Sequence, residues 1–262
     1  MSAIAGATAR RIGVGDLDMA YLEAGTGDPL VLLHGGLATA EMSWPESMPR
    51  LARSWRVVAP DSRGHGGTDN PSGRLGYDQM ADDVAAFIDA LGLEKPVIIG
   101  YSDGAQIGIE LGLRHPGKAR ALVLGGVVSE PTPTYLDGLR DWGFLAPGEV
   151  DFDKLAAGWG PFFDTIKRSH GRGDPDYWQG YLRQIATLWY SVPAYTAAQL
   201  GGIAEPALVI QGDRDDMAGL DQARRLFERL GQAELAIVPG ATHDAGMRPV
   251  FWDLVEDFLG RL

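Results

Sequence analysis

The stretch Val97-Ile98-Ile99-Gly100-Tyr101-Ser102-Asp103-Gly104-Ala105 decides the fold. Four residues of buried-strand character run through a Gly-x-Ser-x-Gly turn into the helix-period segment Ala105–Arg114. A serine hydroxyl is a poor nucleophile. It needs exposure, a base within hydrogen-bond reach and donors for a developing oxyanion. A tight strand-to-helix turn supplies the exposure, strains the backbone at its apex, and requires Gly100, Gly104 and Ala105 to be small. Helix entry at Asp103 adds unpaired N–H groups and a positive dipole end beside Ser102. The plain alternative is a glycine-rich βα loop in which Ser102 only caps a helix.

Working outward, strand-length apolar runs recur at Leu30–Leu33, Arg56–Ala59, Ala121–Leu124, Ala207–Gln211 and Leu235–Val238. Two short strands around a Gly15-Asp16 turn precede them. Helix-period segments lie at Met80–Leu91, Ala105–Arg114 and Leu220–Leu230. Buried strands separated by helices predict an α/β fold with a mostly parallel sheet and right-handed crossovers. The rhythm breaks from 129 to 202, which holds no core strand but carries 13 of the chain's 23 aromatic residues. We read 129–202 as a helical cap over a core formed by 1–128 and 203–262. Leu37 of the core and Trp142, Phe144, Trp159, Phe163 and Trp189 of this apolar roof are the candidate substrate-binding residues. The alternative for each ring is that it fills a small second core.

Composition excludes several function classes. With 35 acidic against 23 basic side chains and a net charge of −12, the chain repels polyanions, so no nucleic-acid partner is expected. There is no cysteine, which rules out disulfides, thiolate metal sites and a cysteine nucleophile. That accords with a reducing compartment. No apolar run approaches the ~20 residues needed to span a bilayer, and Arg10-Arg11 is followed by a broken, polar stretch rather than an export signal. A soluble, cytoplasmic protein is the expectation, with no membrane partner.

A second glycine-rich turn, His34-Gly35-Gly36-Leu37, follows the strand Leu30–Leu33 and is placed to bring a further N–H towards Ser102. Gly36 is the candidate second oxyanion donor beside Asp103, with Leu37 in reserve; His34 is read as structural. A base and its orienting acid belong at the ends of later strands, in the order serine, acid, histidine. His243 is the one histidine of five that follows the last strand. His65, His115 and His170 are assigned surface or packing roles. Among the acids of Gly212-Asp213-Arg214-Asp215-Asp216, Asp215 is favoured, because the Gly212-Asp213 turn first carries the chain out of its strand. Asp213, Asp216 and Glu130 are the rivals.

Taken together, these residues resemble the α/β-hydrolase superfamily of serine esterases and lipases along nearly the whole chain. The match includes His34 to Leu37, the loop Asp61, Arg63, Gly64, Gly66 and Thr68, the serine elbow, the Gly-Asp-x-Asp turn and the Pro-Gly-x-x-His turn. The Asp103-Gly104 pair is similar to the esterases grouped with valacyclovir hydrolase. The resemblance implies an eight-stranded sheet with the cap inserted after the sixth strand. It also implies a triad of Ser102, Asp215 and His243 that needs no metal or organic cofactor. The function expected is cleavage of small to medium carboxylic esters with apolar or aromatic acyl groups, through an acyl-enzyme. Lactone, activated-amide or C–C bond hydrolysis, acyl transfer or perhydrolysis, and a non-catalytic ligand receptor are the alternatives. Asp103 departs from the commoner pattern. It serves either to attract a substrate amine or simply as an acid favoured at a helix N-terminus.

Overall fold

The structure is a computed structural model that describes residues 3–170 and 174–262. Its centre is an eight-stranded sheet of β1 (Thr8–Val14), β2 (Leu17–Ala24), β3 (Pro29–Leu33), β4 (Arg56–Pro60), β5 (Val97–Tyr101), β6 (Ala121–Gly125), β7 (Ala207–Gly212) and β8 (Ala233–Val238). The spatial order is β1-β2-β4-β3-β5-β6-β7-β8, and only the β1–β2 and β2–β4 pairings are antiparallel. The central strands are apolar on both sides because a core cluster covers each face. One contains helices α1 (Tyr77–Ala90) and α2 (Asp103–Arg114); the other is closed by Phe251, Trp252 and Val255 of the C-terminal helix Pro249–Leu259.

From β3 the chain runs to β4 on one side and then to β5 on the other, so the strand order reverses between β3 and β5. At such a point the loops leaving the two strands diverge and open a crevice at their carboxyl ends. The loops there are His34–Leu37 and Tyr101-Ser102. Topology therefore places together two turns that lie far apart in sequence.

Between β6 and β7 the chain forms helices α3 (Pro133–Trp142), α4 (Phe152–Trp159), α5 (Pro161–Ser169), α6 (Tyr177–Tyr190) and α7 (Ala197–Gly201). Thr132, Asp151 and Thr196 cap α3, α4 and α7 by accepting hydrogen bonds from backbone N–H groups of the first turn. A two-stranded hairpin of Phe144–Ala146 with Glu149–Val150 adds to the expected helices without joining the central sheet. The last strand also differs from a fully buried one. β8 is an edge strand on which Leu235 and Ile237 are exposed, because among the described residues only β7 pairs with it.

Candidate active site

β5 carries a fully buried Val97-Ile98-Ile99-Gly100 into the turn at Ser102, whose φ of 54° and ψ of −118° lie outside the ordinary regions for a side-chain-bearing residue. Such strain costs about 1–3 kcal/mol and persists because the surroundings enforce it. A Cβ on Gly100 would strike the Gly104 carbonyl, and one on Gly104 would strike the Leu33 carbonyl of β3. The elbow is thus pressed against both its own helix and the neighbouring strand, leaving the serine side chain projecting from the apex.

Ser102 Oγ lies 3.0 Å from His243 Nε2, and His243 Nδ1 lies 2.9 Å from Asp215 Oδ2. Three residues widely separated in sequence therefore form one relay. Asp215 is fixed independently of the histidine. Its Oδ1 accepts from the Met217 and Ala218 N–H groups at 3.0 and 2.9 Å, and its Oδ2 accepts from Gln211 Nε2 at 2.6 Å. Burial pushes the Asp215 carboxyl up. The hydrogen bond and charge of His243 and the two backbone donors outweigh this and hold it below the usual carboxylate range. An ionised Asp215 accepts from Nδ1–H, which leaves Nε2 to accept the Ser102 hydroxyl proton. The backbone carbonyl of His243 accepts from Tyr101 Oη at 3.1 Å, and the Tyr101 ring packs against the imidazole. The rival acids lie elsewhere: Glu130 pairs with Arg225, Asp213 accepts from the Gly240 N–H, and Asp216 is exposed.

The His34–Leu37 turn lies directly on the elbow. A Cβ on Gly35 would come within 3.2 Å of Ser102 Cβ, and one on Gly36 would come within 2.5 Å of Asp103 Oδ2. Among the described residues, neither the Gly36 nor the Asp103 N–H donates to another protein group, so both are available to an oxyanion. His34 holds this turn in shape. Its Nδ1–H donates to the Gly35 carbonyl at 2.8 Å, and its Nε2 accepts from the Ser62 N–H at 2.9 Å. Burial keeps its imidazolium form disfavoured.

The Asp-x-Arg-Gly-x-Gly loop serves the same scaffold. Asp61 accepts from the Ala40 and Gly67 N–H groups, and the buried Arg63 guanidinium bridges Asp83 and Asp16. His115 pairs with Asp82, and His65 is enclosed between the rings of His34, His170 and Tyr181. His170 exceeds the packing role expected of it. Fully buried at the end of α5, it stacks on Tyr181, accepts from the Gly66 N–H and donates to the Leu37 carbonyl, tying the insertion to the loop beside Ser102.

Above Ser102 lies a cavity of about 400 Å³. Of the rings expected to line it, Trp142, Trp159 and Trp189 do so, as does Leu37. Phe144 and Phe163 do not. Phe144 is fully buried behind Trp159 and Trp189, and Phe163 turns towards Trp178 and Lys167. Its neighbour Phe162 lines the cavity instead, because adjacent helical residues point about 100° apart. Trp44, Tyr77, Tyr135, Gln106, Val128 and Met217 complete much of the wall and are absent from the sequence-based assignment. Trp44 and Tyr77 belong to the core rather than the insertion, and no aromatic density marks them out.

Asp103 is buried beside Ser102. Its carboxylate accepts from Tyr77 Oη at 2.9 Å and from Trp189 Nε1 at 2.9 and 3.1 Å. Burial pushes its carboxyl up from the usual range, although these donors and the nearby His243 act in the opposite direction. Neither expected role for Asp103 anticipates this pair, which joins α2 to α1 and to α6. The helix N-terminus still favours the acid.

Comparison with known proteins agrees with the topology. The family profile described as alpha/beta hydrolase fold matches residues 28–248. A 2-hydroxy-6-oxo-6-(2'-aminophenyl)hexa-2,4-dienoic acid hydrolase of Metapseudomonas resinovorans is 38% identical over 89% of this chain and 84% of its own. A putative carbamate hydrolase of Caulobacter segnis is 37% identical over 83% and 85%. Among solved structures, a serine hydrolase involved in carbazole degradation superposes with a TM-score of 0.79 at 24% identity, over 98% of this chain and 100% of that one. Among the described residues, no helix is long and apolar enough to cross a membrane. The chain belongs to the α/β-hydrolase fold family and is a serine hydrolase.

Proposed function

We propose that the protein hydrolyses carboxylic esters through a Ser102 acyl-enzyme, with 129–202 acting as the cap that encloses the acyl group. The observation that carries this reading is the Ser102–His243–Asp215 relay at 3.0 and 2.9 Å, opening on an apolar cavity of about 400 Å³. Ser102 Oγ attacks the ester carbonyl as its proton passes to His243 Nε2. The N–H groups of Gly36 and Asp103 receive the oxyanion. His243 returns the proton to the departing alcohol, then takes one from water as the water oxygen attacks the acyl carbon, and passes it to Ser102 Oγ as the acid departs. Asp215 keeps the imidazole oriented and compensates its charge.

Carbon–carbon hydrolysis is the second reading, since the Metapseudomonas relative is named for a dienoic acid. Such a substrate carries a carboxylate, which binds best opposite a cation. Among the described residues no lysine or arginine lines this cavity; its acidic members are Asp103 and Asp244. That charge pattern favours a neutral ester.

The cavity lies near the lower end of the ~300–1,000 Å³ range for small-molecule sites, so short to medium or aromatic acyl groups should fit and long chains should not. With nitrophenyl esters of graded length, kcat/KM is expected to peak between butyrate and octanoate or with phenylacetate, and to fall roughly tenfold or more by palmitate. Turnover of a 2-hydroxy-6-oxo-hexadienoate should be slower than of the best ester. A palmitate optimum, or faster dienoate turnover, would overturn this assignment.

A further inference from the structure

α2 presents a row of polar side chains, Asp103, Gln106 and Glu110, at three- and four-residue spacing, which places them on one helix face. The outer two are provided for within the protein. Asp103 accepts from Tyr77 and Trp189, and Glu110 accepts from Tyr195 Oη at 2.9 Å. Gln106 lies between them at 1% exposure, and among the described residues neither its Oε1 nor its Nε2 has a hydrogen-bond partner. It also lines the cavity above Ser102. Buried amides are nearly always paired, because an unpaired donor or acceptor forfeits its hydration without replacement. A glutamine costs more here than the leucine or isoleucine of the neighbouring α2 positions unless something in the cavity meets it.

We infer that Gln106 is a specificity residue that binds a neutral carboxamide-like group on the substrate, the inference resting on the ester-hydrolase reading above. An amide side chain offers one acceptor and two donors, so its best single partner presents a C=O and an N–H side by side. Carboxylate is disfavoured by Asp103 beside it and by the absence of a lining cation among the described residues. Ser102 and Gln106 are four residues apart at the start of one helix, a rise of about 6 Å. The carboxamide therefore belongs a few bonds from the scissile carbonyl, on a chain short enough for both groups to be engaged together.

Three nitrophenyl esters of matched length test this: 3-acetamidopropanoate, 5-oxohexanoate, which keeps the carbonyl but lacks the N–H, and 5-methylhexanoate, which has neither. Nitrophenol release reports each kcat/KM. The ratio of acetamidopropanoate to methylhexanoate should fall roughly tenfold or more in Gln106→Leu, and wild type should turn over oxohexanoate several-fold more slowly than acetamidopropanoate. The second comparison needs no variant, so it stands even where Gln106→Leu does not fold. An unchanged ratio in a folded variant, or equal wild-type rates with oxohexanoate and acetamidopropanoate, overturns the Gln106 assignment while leaving the ester reading intact. No release from any of the three overturns the ester reading and this inference with it.

Discussion

Replacing Ser102 by alanine should lower kcat on nitrophenyl butyrate by about 10⁴- to 10⁶-fold, leaving a folded protein of undiminished thermal stability. The kinetic loss follows from the relay, since no other hydroxyl stands 3.0 Å from His243 Nε2 among the described residues. Stability should hold for a different reason. Ser102 takes a φ of 54° only because Gly100, Gly104 and β3 constrain it, and alanine meets the same backbone restraint while removing one hydroxyl. A variant that retained more than about a hundredth of wild-type kcat would show that another group attacks the carbonyl. A melting curve alongside the rates separates that outcome from simple unfolding.

Asp215→Asn should cost about 10³- to 10⁴-fold in kcat while leaving KM within a few-fold. Asparagine can keep Oδ1 on the Met217 and Ala218 N–H groups, but its amide NH₂ would then face His243 Nδ1. The imidazole would be driven to accept at Nδ1 and carry its proton on Nε2, where it cannot take the serine proton. The same amide would also face Gln211 Nε2, a donor against a donor. Acid stability gives a second readout. Because the fold holds the Asp215 carboxyl below its usual range, its ionised form adds stability above about pH 4 that is lost as pH falls through the folded value. Wild type should therefore lose stability relative to Asp215→Asn on acidification below about pH 4. A kcat reduced less than tenfold would return the acid role to Asp213, Asp216 or Glu130.

The parts of the site legible in the sequence are those whose backbone is unusual. Ser102 is announced by glycines that the elbow cannot replace, Gly36 by a glycine run after a buried strand, and Asp215 and His243 by turns that end β7 and β8. Each signal is local, so one sequence carries it. The cavity wall is different. Phe162 and Phe163 are adjacent and chemically alike, yet one faces the cavity and the other faces Trp178, because the rotation of α5 decides which. Phe144 is lost from the wall because Trp159 and Trp189 cover it. His170 looked like a packing residue because its partners, Gly66 and Leu37, lie more than a hundred positions away. Gln106 did leave a trace, a lone amide among the apolar positions of α2, but its significance depends on its lacking a partner. Only packing reveals that.

The most direct test of a Ser102 nucleophile is to find where a covalent intermediate forms. Wild-type protein treated with an alkyl fluorophosphonate and digested should show by mass spectrometry a single phosphonylated site, on the peptide containing Ser102, formed in step with loss of esterase activity. Formation should be abolished in Ser102→Ala and slowed at least about a hundredfold in Asp215→Asn. A phosphonate on any other residue, or full loss of activity with Ser102 unmodified, would contradict the account.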